Sequence, residues 1–329
     1  MEKLNLGILG TGWIATEMAE TLARSGDANL YAVASRELPR ARAFAARYGI
    51  PKAYGSDAEL LADPDVDIVY VASPHSRHAE QMKASLEAGK HILCEKAFTV
   101  TAKEAREVLA LARQKKLVVA EALWPRYMPM AKTIRDFCGS GKIGRVYAVY
   151  CNLGYPVAAV PRLRLPELAG GALLDVGVYT LNFAALVLGD EVTGFTSSAV
   201  KNELGVDTQG SVALTYSGGR MATLLYSVLG TTDRMGIIYG EKGYALVGNI
   251  NNFESLSVYD EDYRLIERVE RPPQFTGYEY EVRAVVEAIR SGALECPDMP
   301  HKETIRIMEL MDGIRHGWGL WYPGEERDN

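Results

Sequence analysis

Leu4-Asn5-Leu6-Gly7-Ile8-Leu9-Gly10-Thr11-Gly12-Trp13-Ile14-Ala15 is the stretch that decides the fold. A short apolar run leads directly into G-x-G-x-x-A. An amphipathic segment over Ile14–Arg24 and a second apolar run, Asn29–Ala34, follow. The order reads strand, glycine turn, helix, strand, the context in which this spacing is a dinucleotide fingerprint. Gly10 permits the tight turn, Gly12 lets a pyrophosphate approach the backbone, and Ala15 lets helix and strand pack closely. The helix N-terminus adds unpaired N–H groups and a positive dipole end. Gly10, Thr11, Gly12, Trp13 and Ile14 are therefore candidate cofactor contacts.

Working outward, strands and helices alternate to about residue 121, which predicts a doubly wound parallel sheet. Strands are expected at Lys52–Tyr54, Ile68–Ala72, His91–Cys94 and Leu117–Ala120, with helices at Leu38–Tyr48, Asp57–Ala62, Ser76–Ala88 and from Thr101 to Gln114. Ligands of such sheets bind beyond the carboxyl ends of the strands. Those ends supply Ser35 and Arg36, then Ser73, Pro74 and His75, then Glu95 and Lys96, and finally Glu121, Ala122 and Trp124. Lys96 is thus assigned to the cofactor crevice by topology alone. Ser73, Pro74, His78 and Glu95 are counted with the cofactor loops, His78 at the start of the following helix.

Beyond residue 122 the character changes. A helix at Pro129–Ser140, a strand at Arg145–Asn152, a long loop at Tyr155–Leu168 and a helix at Leu173–Leu188 precede successive strands from Val192 to Val269. Helices at Tyr278–Arg290 and Glu303–Arg315 close the pattern. The division expected is a dinucleotide-binding Rossmann domain, 1–122, and an α+β substrate-binding and dimerisation domain, 123–329, with a largely antiparallel open sheet and flanking helices.

Composition narrows the function. Of 329 residues, 36 are Lys or Arg and 42 Asp or Glu, a net charge of −6 that argues against a general nucleic-acid or anionic-membrane binder. No apolar run reads as a membrane span. The N-terminus reads straight into the first strand without a signal peptide. The four cysteines are scattered without a CxxC pair, which reads as reduced thiols in a cytoplasmic protein. The five histidines show no zinc spacing, so no metal is expected.

At the end of the second strand, an acid would favour a ribose 2′-hydroxyl and repel a 2′-phosphate. Here stand Ser35 and Arg36, and an arginine pairs with phosphate and stacks on adenine. The expected cofactor is NADP, with NAD possible because Glu37 is close enough in sequence to reach the ribose.

The chain resembles the Gfo/Idh/MocA oxidoreductases, and within them the dimeric dihydrodiol dehydrogenase branch. The residues that carry the resemblance are Gly10-Thr11-Gly12, Ser73-Pro74 with His78, Cys94-Glu95-Lys96-Ala97, Glu121-Ala122-Leu123-Trp124-Pro125-Arg126-Tyr127 and Gly170-Gly171-Ala172-Leu173-Leu174-Asp175-Val176-Gly177-Val178-Tyr179. Ala97 stands where the family has proline. The resemblance implies hydride transfer between a nicotinamide and a secondary alcohol or ketone of a sugar, cyclitol or cyclic diol. It also implies catalytic roles for Lys96, Tyr179 and Asp175.

The chemistry is consistent with those roles. Moving hydride from a carbinol carbon requires loss of the hydroxyl proton. A tyrosine with pKa of ~10 is a poor base until an ammonium favours tyrosinate. The same ammonium stabilises a developing alkoxide. Tyr179 would exchange the proton and Lys96 would polarise the substrate oxygen. Which of the two formally carries the proton stays open, because coupled groups titrate together. Asp175, four residues before Tyr179 and so on one helix face, would hold the lysine or a substrate hydroxyl. Trp124 and Arg162 are the candidate substrate contacts. The resemblance also implies a homodimer or higher homo-oligomer through the second-domain sheet. Two other readings remain: an NAD-retaining enzyme that cleaves glycosides through transient sugar oxidation, and a non-catalytic dinucleotide-binding sensor.

Overall fold

The structure is a computed structural model that describes residues 3–325. It falls into two compact units. One joins the chain up to Tyr127 with Gln274–Ile305; the other joins Met128–Pro273 with the chain from Arg306 onward.

In the first unit, β1 (Asn5–Leu9), α1 (Trp13–Ser25), β2 (Asn29–Ala34), α2 (Leu38–Tyr48), β3 (Lys52–Tyr54), α3 (Asp57–Leu61), β4 (Ile68–Val71), α4 (His75–Glu87), β5 (His91–Glu95), α5 (Ala102–Lys115) and β6 (Val119–Ala122) alternate along the chain. The six strands pair in the order β3-β2-β1-β4-β5-β6, every pair parallel. The order reverses between β1 and β4, which places the ligand crevice beyond their carboxyl ends. Ile68-Val69-Tyr70-Val71 is buried along its whole length, as a strand covered by helices on both faces must be. α5 starts on a capping box: Thr101 accepts from the Glu104 amide and Glu104 accepts from the Thr101 amide.

The last strand lies two residues later than the expected Leu117–Ala120. Glu121 is therefore inside β6 and buried, and the sheet ends at Ala122. Its carboxylate accepts from the Thr304 hydroxyl at 2.8 Å, so an acid that looks like a strand end is a satisfied interior group.

The second unit contains α6 (Pro129–Gly139), β7 (Val146–Gly154), the short α7 (Pro161–Arg164), a π turn at Leu173–Gly177 that runs into α8 (Val178–Leu188), and the strands β8 (Val192–Lys201), β9 (Asp207–Tyr216), β10 (Met221–Ser227), β11 (Gly236–Gly240), β12 (Gly243–Gly248), β13 (Ser255–Asp260) and β14 (Leu265–Glu270). Eight strands form one sheet in the order β14-β13-β12-β11-β7-β10-β9-β8. All pairs are antiparallel except β7 with β10. Along β10, Ala222, Leu224 and Tyr226 are buried while Met221, Thr223 and Leu225 face outward. Such alternation marks a sheet with one covered and one open face.

Three expectations are corrected here. The segment 155–168 is not one loop, since α7 and a 3-10 turn at Pro166–Leu168 interrupt it. The stretch Pro166–Leu188 is long and apolar enough by composition to cross a membrane, against the reading that no run reaches that length; its most apolar 18-residue window is 94% buried within the protein, as a core segment is. The boundary at 122/123 also differs from the observed division. After β14 the chain returns to the first unit with α9 (Glu279–Ser291), and α10 (His301–Gly317) begins there. The return is held by packing within that unit: Tyr278 stacks on Trp124 with ring centroids 4.7 Å apart, and Thr21 and Thr276 share a hydroxyl hydrogen bond of 2.7 Å.

Candidate active site

The glycine turn fits a pyrophosphate. Gly10 has φ of +116°, a conformation L side chains rarely adopt, and a Cβ there would come 2.8 Å from the Ala72 carbonyl oxygen. Gly12 is the N-cap of α1 and has no side-chain cap. A Cβ on Gly12 would meet nothing within 4 Å, so the space over the first turn is open. The amides of that turn and the dipole end are available to an anion. Trp13, the first helical residue, is 70% exposed beside them; Thr11 and Ile14 are half-buried.

At the end of β2, Ser35 is half-buried and Arg36 exposed. Glu37, the residue that would argue for a ribose hydroxyl, is instead tied to Arg40 at 3.1 Å. Both ends of that pair are exposed, so it is worth little by itself.

Ser73 and Pro74 follow β4 and are half-buried. His78 does not belong with them as a cofactor contact. It is fully buried, with Nδ1 2.9 Å from the Ala97 carbonyl oxygen and Nε2 2.9 Å from the Ser73 carbonyl oxygen. Burial pushes its pKa down, and the carbonyls oppose that. The ring ties the loop after β4 to the loop after β5.

Lys96 leaves the carboxyl end of β5, two strands across from the glycine turn, and is half-buried. The Lys96–Ala97 peptide bond is cis, at the position where Ala97 replaces the family proline. Glu95 is turned inward: it is buried, accepts a short hydrogen bond from the Tyr70 hydroxyl, and accepts from the Lys96 amide at 3.3 Å. Burial, with Glu95 second, drives the Tyr70 pKa well above its ordinary value. Glu281 of α9, fully buried and near enough to feel Glu95, is likewise driven up. Glu95 thus supports the backbone of Lys96 from beneath. Trp124, a candidate substrate contact, is buried and stacks on Tyr278.

The second unit presents the other candidate residues. Asp175 lies in the π turn and Tyr179 in the first turn of α8, both buried. Single π turns inside α-helices recur at functional sites. Asp175 accepts from Arg162 Nη1 at 2.7 Å, with Asp175 buried and Arg162 44% exposed. Arg162, a candidate substrate contact, also supplies the cation that holds Asp175. The doubled glycine explains how its segment reaches the helix. A Cβ on Gly170 would lie 2.7 Å from the Leu163 carbonyl and 2.8 Å from the Arg162 carbonyl oxygen. Tyr322 closes the same corner by donating to the Gly170 carbonyl.

Among the described residues no group of three or more His, Cys, Asp or Glu side chains could hold a metal ion. Two features were invisible in the sequence. One is Asp207, which accepts from the Leu173 amide at 2.7 Å where the π turn starts; the only signal was the Gly170-Gly171 pair. The other is the Tyr70–Glu95 contact, between residues 25 positions apart in sequence.

A Rossmann sheet with an open glycine turn and a lysine in its crevice defines a nicotinamide-dinucleotide-dependent oxidoreductase. Residues 4–123 match the oxidoreductase family, NAD-binding Rossmann fold model of Gfo/Idh/MocA, and residues 131–246 match the C-terminal domain model of the same family; the chain belongs to the Gfo/Idh/MocA family. It is 33% identical to trans-1,2-dihydrobenzene-1,2-diol dehydrogenase of Mus musculus, over 98% of this chain and 99% of that one. It is also 33% identical to the Xenopus tropicalis enzyme of the same name, over 96% and 98%. A 3-ketoreductase from Actinomadura kijaniata, solved with TDP-benzene and NADP, superposes with a TM-score of 0.85 at 26% identity, covering 96% of this chain and 98% of that one.

Proposed function

We propose that this oxidoreductase moves hydride between NADP(H) and a secondary alcohol or ketone of a sugar, cyclitol or cyclic diol. The observation that carries the reading is Lys96, half-buried at the carboxyl end of β5 in the sheet that bears the open glycine turn. The relatives' diol dehydrogenase activity and the reductase crystallised with NADP point to the same substrate class and cofactor.

When bound, the nicotinamide accepts or supplies the hydride. The Lys96 ammonium polarises the substrate oxygen and stabilises alkoxide character on it. The Tyr179 hydroxyl exchanges the proton with that oxygen. Asp175, its charge countered by Arg162, accepts from a second substrate hydroxyl and so orients the ring. Arg36 and Ser35 take the 2′-phosphate, the guanidinium pairing with it and the hydroxyl donating to it. The four cysteines, all unpaired, suit a reducing compartment such as the cytoplasm.

The test is a panel of sugars, inositols and cyclic diols followed at the nicotinamide absorbance with each cofactor. The expected result is turnover with kcat/KM for NADPH at least about tenfold above that for NADH, the scale of one lost charge-assisted contact. A clear NADH preference would overturn the cofactor assignment. Glycoside cleavage without net change in added nicotinamide would overturn the reaction.

A further inference from the structure

Asp207 opens β9 and is fully buried. Its Oδ2 accepts from the Leu173 amide at 2.7 Å, with the amides of Ala172 and Asp207 itself adding to the cradle. Leu173 is the first residue of the π turn that carries Asp175 and runs into the helix that carries Tyr179. The chain makes room for this carboxylate. Gly171 has φ of +130°; a Cβ there would collide with Asp207 Oδ1 and lie 3.0 Å from the Tyr322 hydroxyl. Oδ1 itself is buried without a hydrogen-bond partner. A carboxylate held by amides at a helix start, and in favourable contact with the dipole end, fixes where that helix begins.

We propose that Asp207 is a positioning residue for hydride transfer: it anchors the π turn so that Asp175 and Tyr179 meet the substrate in register. The inference rests on the substrate roles assigned above to those two residues. The groups facing Asp207 are Lys201 of β8, Tyr226 of β10 and Tyr322 of the C-terminal segment, which in turn feels Arg315 and Glu325. Burial raises the Asp207 pKa to about 7, against the opposing pull of the amides and Lys201. The anchor therefore changes charge near neutral pH. Ionised, it makes charge-assisted bonds to the amides; protonated, it makes ordinary ones.

The experiment compares wild type, Asp207→Ala, Asp207→Asn and Tyr179→Phe. Each is read for folded fraction, NADPH affinity, substrate KM and single-turnover hydride transfer per folded molecule across pH 5.5 to 9. Asp207→Ala is expected to raise substrate KM and slow hydride transfer about ten- to hundredfold, as a displacement near 1 Å does, with NADPH affinity within about twofold. Asp207→Asn, which keeps an acceptor for Leu173, is expected to recover most of the rate. It should lack the wild-type inflection near pH 7, the value to which burial raises Asp207. If Asp207→Ala does not fold, Asp207→Asn alone carries the test. Unchanged KM and rate per folded molecule in Asp207→Ala, or a wild-type inflection retained in Asp207→Asn, overturns the inference. An undiminished Tyr179→Phe would instead overturn the roles on which it rests.

Discussion

Gly12 separates two reasons for which a glycine can be required. Gly10 is needed by the fold, since its φ is +116° and a side chain would press on the Ala72 carbonyl. Gly12 has ordinary backbone angles and open space where a Cβ would go. Only a ligand makes that position demanding. Gly12→Ala is therefore expected to leave Tm within about 2 °C of wild type, since no contact is disturbed. It should weaken NADPH binding at least about tenfold, because the pyrophosphate must approach the backbone closely. Fluorescence titration alongside thermal melts decides it; intact binding would move the phosphate seat elsewhere. Glu95, His78 and Trp124 lie in signature segments, and spacing alone cannot tell a side chain that faces a crevice from one that supports it. In the structure all three face inward, to Tyr70, to two carbonyls and to Tyr278.

At the scale of elements, β6 shows how a buried acid misleads. Glu121 reads as a residue beyond the strand, yet β6 runs two residues past the expected end at Ala120 and includes it. Its neighbours in space, Thr304 at 2.8 Å and Arg126, come from segments 183 and 5 positions away and could not be read from the strand. Burial raises the Glu121 pKa to about 7, with Thr304 and Arg126 opposing. The folded protein thus holds a proton here that the unfolded chain releases from the ordinary value of 4.5 upward. Wherever the native state binds more protons, stability falls as pH rises. The contribution is fully present below 4.5, declines as pH climbs to about 7, and is flat above. Asp207 acts with the same sign. His78, His91 and His301, whose pKa values burial lowers, act with the opposite sign, so denaturant titrations at pH 5 and pH 8 are read for the carboxyls' share of the difference, which favours pH 5 by an amount on the order of a few kcal/mol. Glu121→Gln should lose part of that difference; an undiminished slope in the variant would contradict the buried-proton assignment. The parallel strands and their helices were legible because buried apolar runs and capping residues such as Thr101 are local signals. The π turn at Leu173–Gly177 was not, because it reads like any apolar helix; what accompanies it is a contact with Asp207, 34 residues on.

For the whole molecule, the chain order hides the return of 274–305 to the first unit. Nothing in the sequence of α9 announces its partner; Tyr278 and Thr276 become informative only beside Trp124 and Thr21. The second unit's sheet leaves its other face open, with Met221 48% and Leu225 38% exposed on β10. Exposed apolar patches of this kind mark association surfaces. We expect a dimer through this face in solution, and Leu225→Glu to shift it toward monomer in light scattering. A monomeric wild type, or a variant still fully dimeric, would contradict that surface.

Single-turnover hydride transfer in Lys96→Met and Tyr179→Phe, with saturating NADPH and the best ketone from the panel, bears most directly on the whole reading. Each substitution is expected to slow the transfer by about 10²- to 10⁴-fold, the range of general acid–base assistance, while NADPH still binds. Near wild-type rates in both variants would mean that neither the ammonium nor the phenol takes part in the chemistry.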